Sequence, residues 1–306
     1  MTGVQTCALP IYAVDAAARG AVVLNHAEVT ALLTEGPRAV GARVVDRLEG
    51  GTLEVCATVI VNASGPWSDS VRAMEGAAER SALRGTKGVH IAVPADRLGN
   101  TGAITVISRV DERVMFVLPG AVHSIIGTTD TPTDESPDEV RATGADVQYL
   151  LDSANAYFPA ARLTADDVVS AWAGIRPLIA SERVGAPAFA SREHAISTGP
   201  AGVIRITGGK LTTYRSMAAQ VTDAVERALG RSPSACRTAA QRLPEVDGEF
   251  ACTVADVLIR RRTTAFDTPD HGRSEAPNIA RRLGELFGWD PARCAQAVKE
   301  IGRAHV

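Results

Sequence analysis

The sequence predicts a mixed α/β (α+β) protein: a partly parallel layer of strands and helices, interrupted by a mostly antiparallel sheet and followed by a small helical domain. Two apolar, β-branched runs, 57–61 and 203–207, each end in a turn of small residues, as strands buried in a parallel sheet do. Between them, short strands recur about every ten residues from Val89 onward, which is typical of an antiparallel meander. After residue 250 the pattern is helical.

The amino-terminal part of the parallel layer combines one helical stretch, 14–20, with several strands. Turn residues separate strands that we place at 21–24, 40–48, 52–55 and 57–61. The last of them ends in Asn-Ala-Ser-Gly-Pro-Trp-Ser-Asp, residues 62–69, which leads into a helix that reaches Met74.

The remaining elements follow from the same signals. The antiparallel sheet has predicted strands at 89–93, 103–107, 113–118, 124–127 and 168–175, with a helix within 137–158. The strand at 203–207 runs into Gly208-Gly209-Lys210, and the helix behind this turn closes at Gly230. Parallel strands that end in glycine turns before helices are a common dinucleotide-binding geometry, although the pattern G-x-G-x-x-G is absent. A linker at 232–247 leads to helices at 253–262 and 278–287.

Composition excludes several classes of function. The 306 residues include 32 Lys and Arg against 35 Asp and Glu, a formal net charge of −3, so nucleic acid is not an expected partner. No apolar run approaches the roughly 20 residues of a membrane-spanning helix. The five cysteines form no C-x-x-C pair and no histidine pair has ligand spacing. We therefore expect no metal site and no disulfide framework, and a reducing compartment, the cytoplasm, is predicted.

Both ends of the chain look foreign to the rest. Residues 1–11 and 301–306 resemble translations of opposite strands of one sequencing adapter. We therefore expect 1–11 and 300–306 to be artefacts and 12–299 to be an internal piece of a longer protein. This expectation accounts for the missing G-x-G-x-x-G, because that motif lies in the first βα unit of such folds.

Seven segments carry a family resemblance. They are NASGPW (62–67), TKGVH (86–90), IGTTD (126–130), WAGIRPL (172–178), SREH (191–194), GGKLTTYR (208–215) and ADVLIRRR (255–262). In this order they resemble the FAD-dependent glycerol-3-phosphate dehydrogenases of the aerobic, quinone-linked type, and the resemblance covers nearly all of 12–299. One departure is Pro119-Gly120, where the family often has Trp after the proline.

The resemblance implies a domain organisation and an activity. A partial FAD-binding, Rossmann-like domain at 12–80 and 195–230 would enclose an antiparallel substrate domain at 81–194, before a linker at 231–250 and a truncated C-terminal helical domain at 251–299. The implied reaction oxidises sn-glycerol 3-phosphate to dihydroxyacetone phosphate, with hydride to FAD and electrons to a quinone, in glycerol metabolism. A homodimer and a peripheral contact with the inner face of the cytoplasmic membrane are further expectations. The membrane contact would use the basic clusters 260–262 and 281–282, for which a solvated face is the alternative.

The candidate FAD contacts lie in two turns. The first turn follows a strand, and its small residues let the backbone approach a cofactor; its candidates are Ala63, Ser64, Gly65 and Trp67. The second precedes a helix whose N–H groups and dipole would stabilise negative charge on a reduced flavin; its candidates are Gly208, Gly209, Lys210, Leu211, Thr212 and Thr213. A plain strand-to-helix turn is the alternative for each.

The resemblance also implies the substrate contacts. Arg176, Arg192 and Lys210 would hold the substrate phosphate, which guanidinium groups bind bidentately; an ion pair between domains is the alternative for either arginine. Arg176 follows an apolar strand, where a buried charge needs a partner. With Arg176 and Lys210, His90 is a candidate catalytic residue because imidazole titrates near neutral pH. His194 is a weaker candidate, and a structural role is the alternative for both histidines. Thr128, Thr129 and Asp130 are expected to line the pocket.

Two alternatives remain open. One is another FAD-dependent oxidoreductase of the D-amino-acid-oxidase-like superfamily, such as an amino-acid or amine oxidase, which would hold an α-carboxylate and release peroxide. The other is a non-catalytic fragment. Without the first βα unit the parallel sheet has an uncovered edge, so the chain alone is expected to be inactive, flavin-free and prone to aggregate.

Overall fold

Three β-sheets organise the residues described by the computed structural model, which are 11–76, 83–120, 122–179, 193–241, 243 and 250–301. The strands are β1 (Ala27–Glu35), β2 (Arg38–Asp46), β3 (Thr52–Cys56), β4 (Val61–Asn62), β5 (Leu83–Pro94), β6 (Ile104–Ile107), β7 (Val114–Leu118), β8 (His123–Gly127), β9 (Thr131–Pro132), β10 (Ser170–Ile179), β11 (His194–Thr198) and β12 (Ile204–Gly208).

The helices surround these sheets and form the end of the described chain. One helix includes residues 11–18, where the sequence predicted a helical stretch at 14–20, and the others are α1 (Ser68–Ala73), α2 (Ala95–Leu98), α3 (Gly144–Asn155), α4 (Tyr214–Ala228), α5 (Thr264–Asp267), α6 (Ala276–Phe287) and α7 (Pro291–Glu300). Short 3₁₀ turns lie at Gly65–Trp67, Ala165–Asp167 and Leu211–Thr213, and a π-helical turn at Asp256–Arg261. None of the helices in the described part of the chain has the length and apolar character needed to cross a bilayer.

The largest sheet is antiparallel and carries the main hydrophobic core. Its order is β10-β5-β8-β7-β6, with β9 added beside β5, which confirms the predicted antiparallel sheet. Val89, Ile91 and Val93 of β5 are fully buried and belong to the same core as Leu150 and Leu151 of α3. Because side chains alternate along a strand, the even-numbered residues of β5 face away from this core.

The other two sheets are smaller. The first is an antiparallel β1-β2-β3 meander, which the N–H of Ala39 joins to the carbonyl of Ala201 at 2.9 Å. The third has the order β11-β12-β4, and only β12 and β4 are parallel, with Ile204 opposite Val61. The carboxyl ends of β4 and β12 therefore lie at the same edge, and each is followed by one of the two turns identified in the sequence.

The C-terminal helices form a separate hydrophobic core and are joined by hydrogen bonds to the segment before β1 and to β10. Leu258, Ala276 and Ala280 are almost completely buried within this core. Two residues just before β1 make these contacts. His26 donates a hydrogen bond to Asp256 at 2.9 Å, and Asn25 Nδ2 donates to the carbonyl of Phe250 at 2.7 Å. On the large sheet, Ser170 Oγ donates to the carbonyl of Phe266 at 3.0 Å.

Several predicted elements differ from those in the structure. Residues 21–24 are not a strand, and the run 57–61 contributes only Val61 to a strand, the two-residue β4, which pairs with β12. The helix expected within 137–158 begins at 144, where Thr143 and Asp146 form a reciprocal capping box. The strand expected at 168–175 continues to Ile179.

Two further findings concern the helix behind the glycine turn and the chain ends. The apolar face predicted for α4 exists, yet none of its residues is buried within the described part of the chain. Residues 1–10 and 302–306, most of the two adapter-like segments, lie outside the described residues. The domain boundaries stay predictions.

Candidate active site

The candidate site lies on the face of the large sheet that points away from the main core. On this face Arg176 pairs across the strands with Thr86, Gly174 with Gly88, and Trp172 with His90. Arg176 thus lies within β10 and not after it, which corrects its predicted position at a strand end. The extension of β10 to Ile179 places both candidate residues, Arg176 and His90, on one surface.

Two glycines make room for the two functional side chains. A Cβ atom added to Gly88 would lie 2.6 Å from Cζ and 2.7 Å from Nη1 of Arg176. A Cβ atom added to Gly127, which pairs with His90 across β5 and β8, would lie 2.7 Å from Nε2 of that histidine. The guanidinium and the imidazole therefore lie flat over backbone that has no side chains. The sequence analysis did not select either glycine, although both stand inside the segments TKGVH and IGTTD.

The guanidinium of Arg176 is held by the three residues that follow β8. Its Nη2 donates to Thr128 Oγ1 at 2.8 Å, and its Nη1 donates to the carbonyl of Thr129 at 3.1 Å and lies 3.3 Å from Asp130 Oδ1. Its side chain remains 27% exposed. The structure therefore brings Arg176 together with the residues expected to line the pocket.

A second arginine shares the carboxylate of Asp130. Arg113, directly before β7, binds the other oxygen of Asp130, so the carboxylate bridges two guanidinium groups. Burial raises the pKa of Asp130, but the nearby hydroxyl of Thr86 and the charges of Arg176 and Arg113 outweigh it, so this pKa lies below its ordinary value. Sequence reasoning missed Arg113; its only signal was a cation adjoining a strand of the substrate sheet.

His90 is held in a neutral state. Burial lowers its pKa to about 4, and the positive charge of Arg176 acts in the same direction. Its ring stacks on that of Trp172 at 5.6 Å between centroids and 14° between planes. At pH 7 the imidazole is therefore uncharged and can accept a proton or a hydrogen bond from a substrate hydroxyl.

The glycine turn after β12 requires its glycines for two reasons. Gly208 and Gly209 have φ values of +71° and +84°, which L-residues with side chains rarely adopt. A Cβ atom on Gly208 would also lie 2.6 Å from the carbonyl oxygen of Glu193 and 2.9 Å from Cγ1 of Ile179. Because Ile179 ends β10, this turn borders the strand that carries Arg176.

Backbone donors are available at the start of the helix that follows this turn. Among the described residues, none accepts a hydrogen bond from the N–H groups of Lys210, Leu211 or Thr212. Thr213 Oγ1 instead donates to the carbonyl of Lys210 at 2.9 Å, so that hydroxyl stabilises the turn itself. The Lys210 side chain is exposed. These donors and the positive end of the helix dipole suit a negatively charged group.

The turn after β4 is organised by an asparagine. Asn62, which is 3% exposed, accepts from the Ser64 hydroxyl at 2.6 Å and donates to the carbonyl of Ser68 at 3.0 Å. Gly65 has a φ of +57°, and the indole of Trp67 donates to Asp138 at 3.2 Å. The candidate residues 63–65 and 67 thus form a fixed turn at the same sheet edge as Gly208. Asn62 was outside the selected set, although it opens the segment NASGPW.

Two predicted residues remain, Arg192 and His194, the second of which pairs with Gly208 across β11 and β12. Arg192 lies outside the described residues. His194 lies on β11, and its Nε2 is 2.9 Å from Oε1 of Gln220 on α4, a structural contact. A cleft of about 230 Å³ lies beside β10, but Asp134 and Glu135 line it together with Pro66, Gly85 and Ile175, so it does not suit a phosphate. In the residues that can be described, no group of His, Cys, Asp and Glu has the arrangement of a metal site.

Comparison with known proteins identifies the family to which the chain belongs. Residues 8–215 match the family described as FAD dependent oxidoreductase, and residues 211–294 match the C-terminal domain of alpha-glycerophosphate oxidase. The glycerol-3-phosphate dehydrogenase 2 of Mycobacterium tuberculosis is 41% identical over 236 residues, 77% of this chain and 40% of that protein. The aerobic glycerol-3-phosphate dehydrogenase of Staphylococcus aureus is 36% identical over 228 residues, 73% of this chain and 41% of that protein.

A solved structure shows the same fold. The glycerol-3-phosphate dehydrogenase of Bacillus halodurans, complexed with FAD, superposes with a TM-score of 0.84 at 28% identity, covering 94% of this chain and 70% of that one. The chain spans about 40% of the length of the curated relatives it matches.

Proposed function

Because the chain belongs to the FAD-dependent oxidoreductase family and carries the C-terminal domain of alpha-glycerophosphate oxidase, we propose that it provides the substrate site of a glycerol-3-phosphate dehydrogenase. The observation that carries the proposal is Arg176, which spreads over Gly88 beside a neutral His90 and is bordered by the Gly208-Gly209 turn. The names of the relatives and of the B. halodurans structure support the choice of glycerol 3-phosphate.

The two turns fit a bound flavin. Among the described residues, nothing accepts a hydrogen bond from the N–H groups of 210–212, which follow β12 of the parallel strand pair, and the close packing around Gly208 and Gly209 leaves no room for side chains there. FAD, when bound, accepts the hydride that leaves C2 of the substrate. The residues proposed to hold it are Ala63, Ser64, Gly65 and Trp67 in the first turn and Gly208 to Thr213 in the second.

The protein residues bind, orient and move a proton. Arg176 holds the phosphate, with Lys210 and Arg192 as further cations, and so fixes C2 at a distance from the charged group. His90 lies two residues farther along β5 than Gly88 and, being neutral, accepts the proton of the C2 hydroxyl or a hydrogen bond from it. Substrate loses one hydride and one proton, and a ketone remains at C2.

The test removes the phosphate contact and leaves the flavin contacts intact. In the longer protein of which 12–299 is expected to be a piece, we expect Arg176→Ala to lower kcat/KM for glycerol 3-phosphate about 10- to 100-fold, the loss typical of one or two charged hydrogen bonds, and to leave the visible flavin spectrum unchanged. Reduction of a dye is measured with added FAD. Arg43→Ala, which breaks an exposed ion pair with Glu54 on the first sheet, is the matched control. Equal kinetics for Arg176→Ala and the unmodified chain would refute the phosphate role.

The same assay separates the alternatives. Peroxide release from an amino acid, without a response to glycerol 3-phosphate, would favour an amino-acid oxidase. A colourless chain without activity would favour the non-catalytic fragment. The quinone acceptor, the homodimer and the cytoplasmic location stay predictions. For the proposed membrane contact, Arg260, Arg262 and Arg281 already form ion pairs with acidic residues of their own domain, which reduces the charge available to lipid.

A further inference from the structure

In the described part of the chain, packing and not hydrogen bonding holds the His90 ring. Among the described residues, no group forms a hydrogen bond with either of its ring nitrogens, so both nitrogens are free to meet a ligand. The ring lies over Gly127, which offers no side chain to hold it. The packing contact that fixes its orientation is therefore the near-parallel stack on Trp172, at 5.6 Å.

Trp172 is supported in turn by the C-terminal helical domain. The ring of Phe266, in α5, packs against Trp172 at 5.2 Å between centroids and 56° between planes. Phe266 is itself fixed, because its carbonyl accepts the Ser170 hydroxyl at 3.0 Å and its neighbour Ala265 is 1% exposed. Three rings from two parts of the chain thus form a row, Phe266–Trp172–His90, that ends at the candidate site.

We propose that Phe266 is a positioning residue which acts through Trp172 to hold the His90 ring in its productive orientation, so that the C-terminal domain completes the active site. The proposal rests on the proposed function only in what His90 does to the substrate. The row itself does not depend on the identity of that substrate. Removal of the Phe266 ring leaves a cavity behind Trp172, lets water reach the stack and allows the imidazole to turn.

The protonation of His90 reports on this row. The charged group that acts on the ring is Arg176 on β10, which Asp130 binds, and neither is changed by a substitution at Phe266. With a pKa of about 4, His90 is only about one-tenth protonated at pH 5. If Phe266→Ala exposes the ring, its titration moves upward by at least one pH unit, into the window between pH 5 and 7.

The experiment is a histidine titration in the 306-residue chain. The Cε1–H signals of ¹³C-labelled histidines are followed by NMR from pH 8 to 5, and His90 is assigned by the signal that Gln substitution at 90 removes. We expect the His90 signal to stay fixed in the unmodified chain and to titrate in Phe266→Ala. Phe266→Tyr, which keeps the ring, should restore the fixed signal. Phe287→Ala removes an aromatic ring elsewhere in the same domain and should change nothing.

Two controls keep the result decisive. Trp172→Leu removes the middle ring, so it should produce the same shift even if Phe266→Ala folds poorly. With FAD present, Phe266→Ala should lower kcat about tenfold at pH 7 and change KM for glycerol 3-phosphate less than twofold, because Arg176 is untouched. These kinetics are measured in the longer protein of which 12–299 is expected to be a piece; absence of turnover in that protein without any substitution would contradict the proposed function, while the titration would still test the row.

The outcome that overturns the inference is equally specific. It is wrong if His90 titrates near pH 6.5 in the unmodified chain, or if its signal stays fixed in both Phe266→Ala and Trp172→Leu. It is also wrong if Phe266→Ala and Phe287→Ala have the same kcat in an active enzyme.

Discussion

Alanine at Gly88 is the smallest change that should displace Arg176. The added Cβ would lie 2.6 Å from Cζ and 2.7 Å from Nη1 of the guanidinium, and contacts below 3.0 Å do not occur between real atoms of this kind. Gly88 has no positive φ, so alanine itself fits the backbone of β5. The far end of the arginine must therefore move by about 1 Å, while the sheet stays as it is.

The contacts of Arg176 set the expected losses of stability and of catalytic efficiency. Arg176 would lose its hydrogen bonds to Thr128 and to the carbonyl of Thr129, at 2.8 and 3.1 Å. At about 1 kcal/mol net for each bond, we expect a loss of about 2 kcal/mol in the free energy of unfolding. A displacement of 1 Å in a substrate-positioning group costs up to about 100-fold in rate, so kcat/KM should fall about 10- to 100-fold.

The assay compares two glycines that lie opposite each other. Gly174 pairs with Gly88 across the strands, yet a Cβ atom there would meet nothing within 4 Å. Urea denaturation and steady-state kinetics with glycerol 3-phosphate and added FAD are measured for Gly88→Ala and Gly174→Ala. Unchanged kinetics in Gly88→Ala, or equal losses in both variants, would show that the position of the guanidinium does not matter.

Three further changes test separate features. His90→Gln should remove a pH dependence of the free energy of unfolding. Because the pKa of His90 is about 4 in the folded chain and 6.5 in the unfolded chain, the unfolded chain binds the proton first as the pH falls. The unmodified chain therefore loses up to about 3 kcal/mol of stability between pH 6.5 and pH 4, which denaturation at several pH values detects. Lys87→Met should cost about 3–5 kcal/mol in urea denaturation by leaving Asp146 buried without its partner at 2.9 Å, and Lys87→Met with Asp146→Asn should recover part of that loss. Gly209→Ala should lower the melting temperature more than Gly202→Ala, since both have a φ of +84° but only Gly209 would also clash.

The sequence predicted the sheets better than it predicted their edges. The antiparallel strands around β5 alternate clearly because one face is buried against α3, and this periodicity is visible without a structure. The run 57–61 misled because hydrophobicity reports burial and not pairing; of this run only Val61 lies in a strand, opposite Ile204 of β12. The extension of β10 through Arg176 and Pro177 was missed because proline usually ends a strand.

The candidate site was predictable only in its residue types. Arg176 and His90 stand in recognisable segments, but nothing in their spacing shows that Gly88 and Gly127 receive their side chains, since these pairs depend on the register of β5 with β8 and β10. Arg113 lies before β7 and Asp130 lies after β8, so Arg113 joins the site through the carboxylate of Asp130. Contacts of this kind arise from tertiary pairing, which a single sequence does not encode locally.

Because non-covalent contacts anchor the C-terminal helices, their place in the fold does not require an uncut chain before them. Residues 231–241 are exposed and have no helix or strand, whereas the helices beyond them are anchored at His26 and at Ser170. A protease that cuts in this exposed stretch would therefore leave two polypeptides that stay associated.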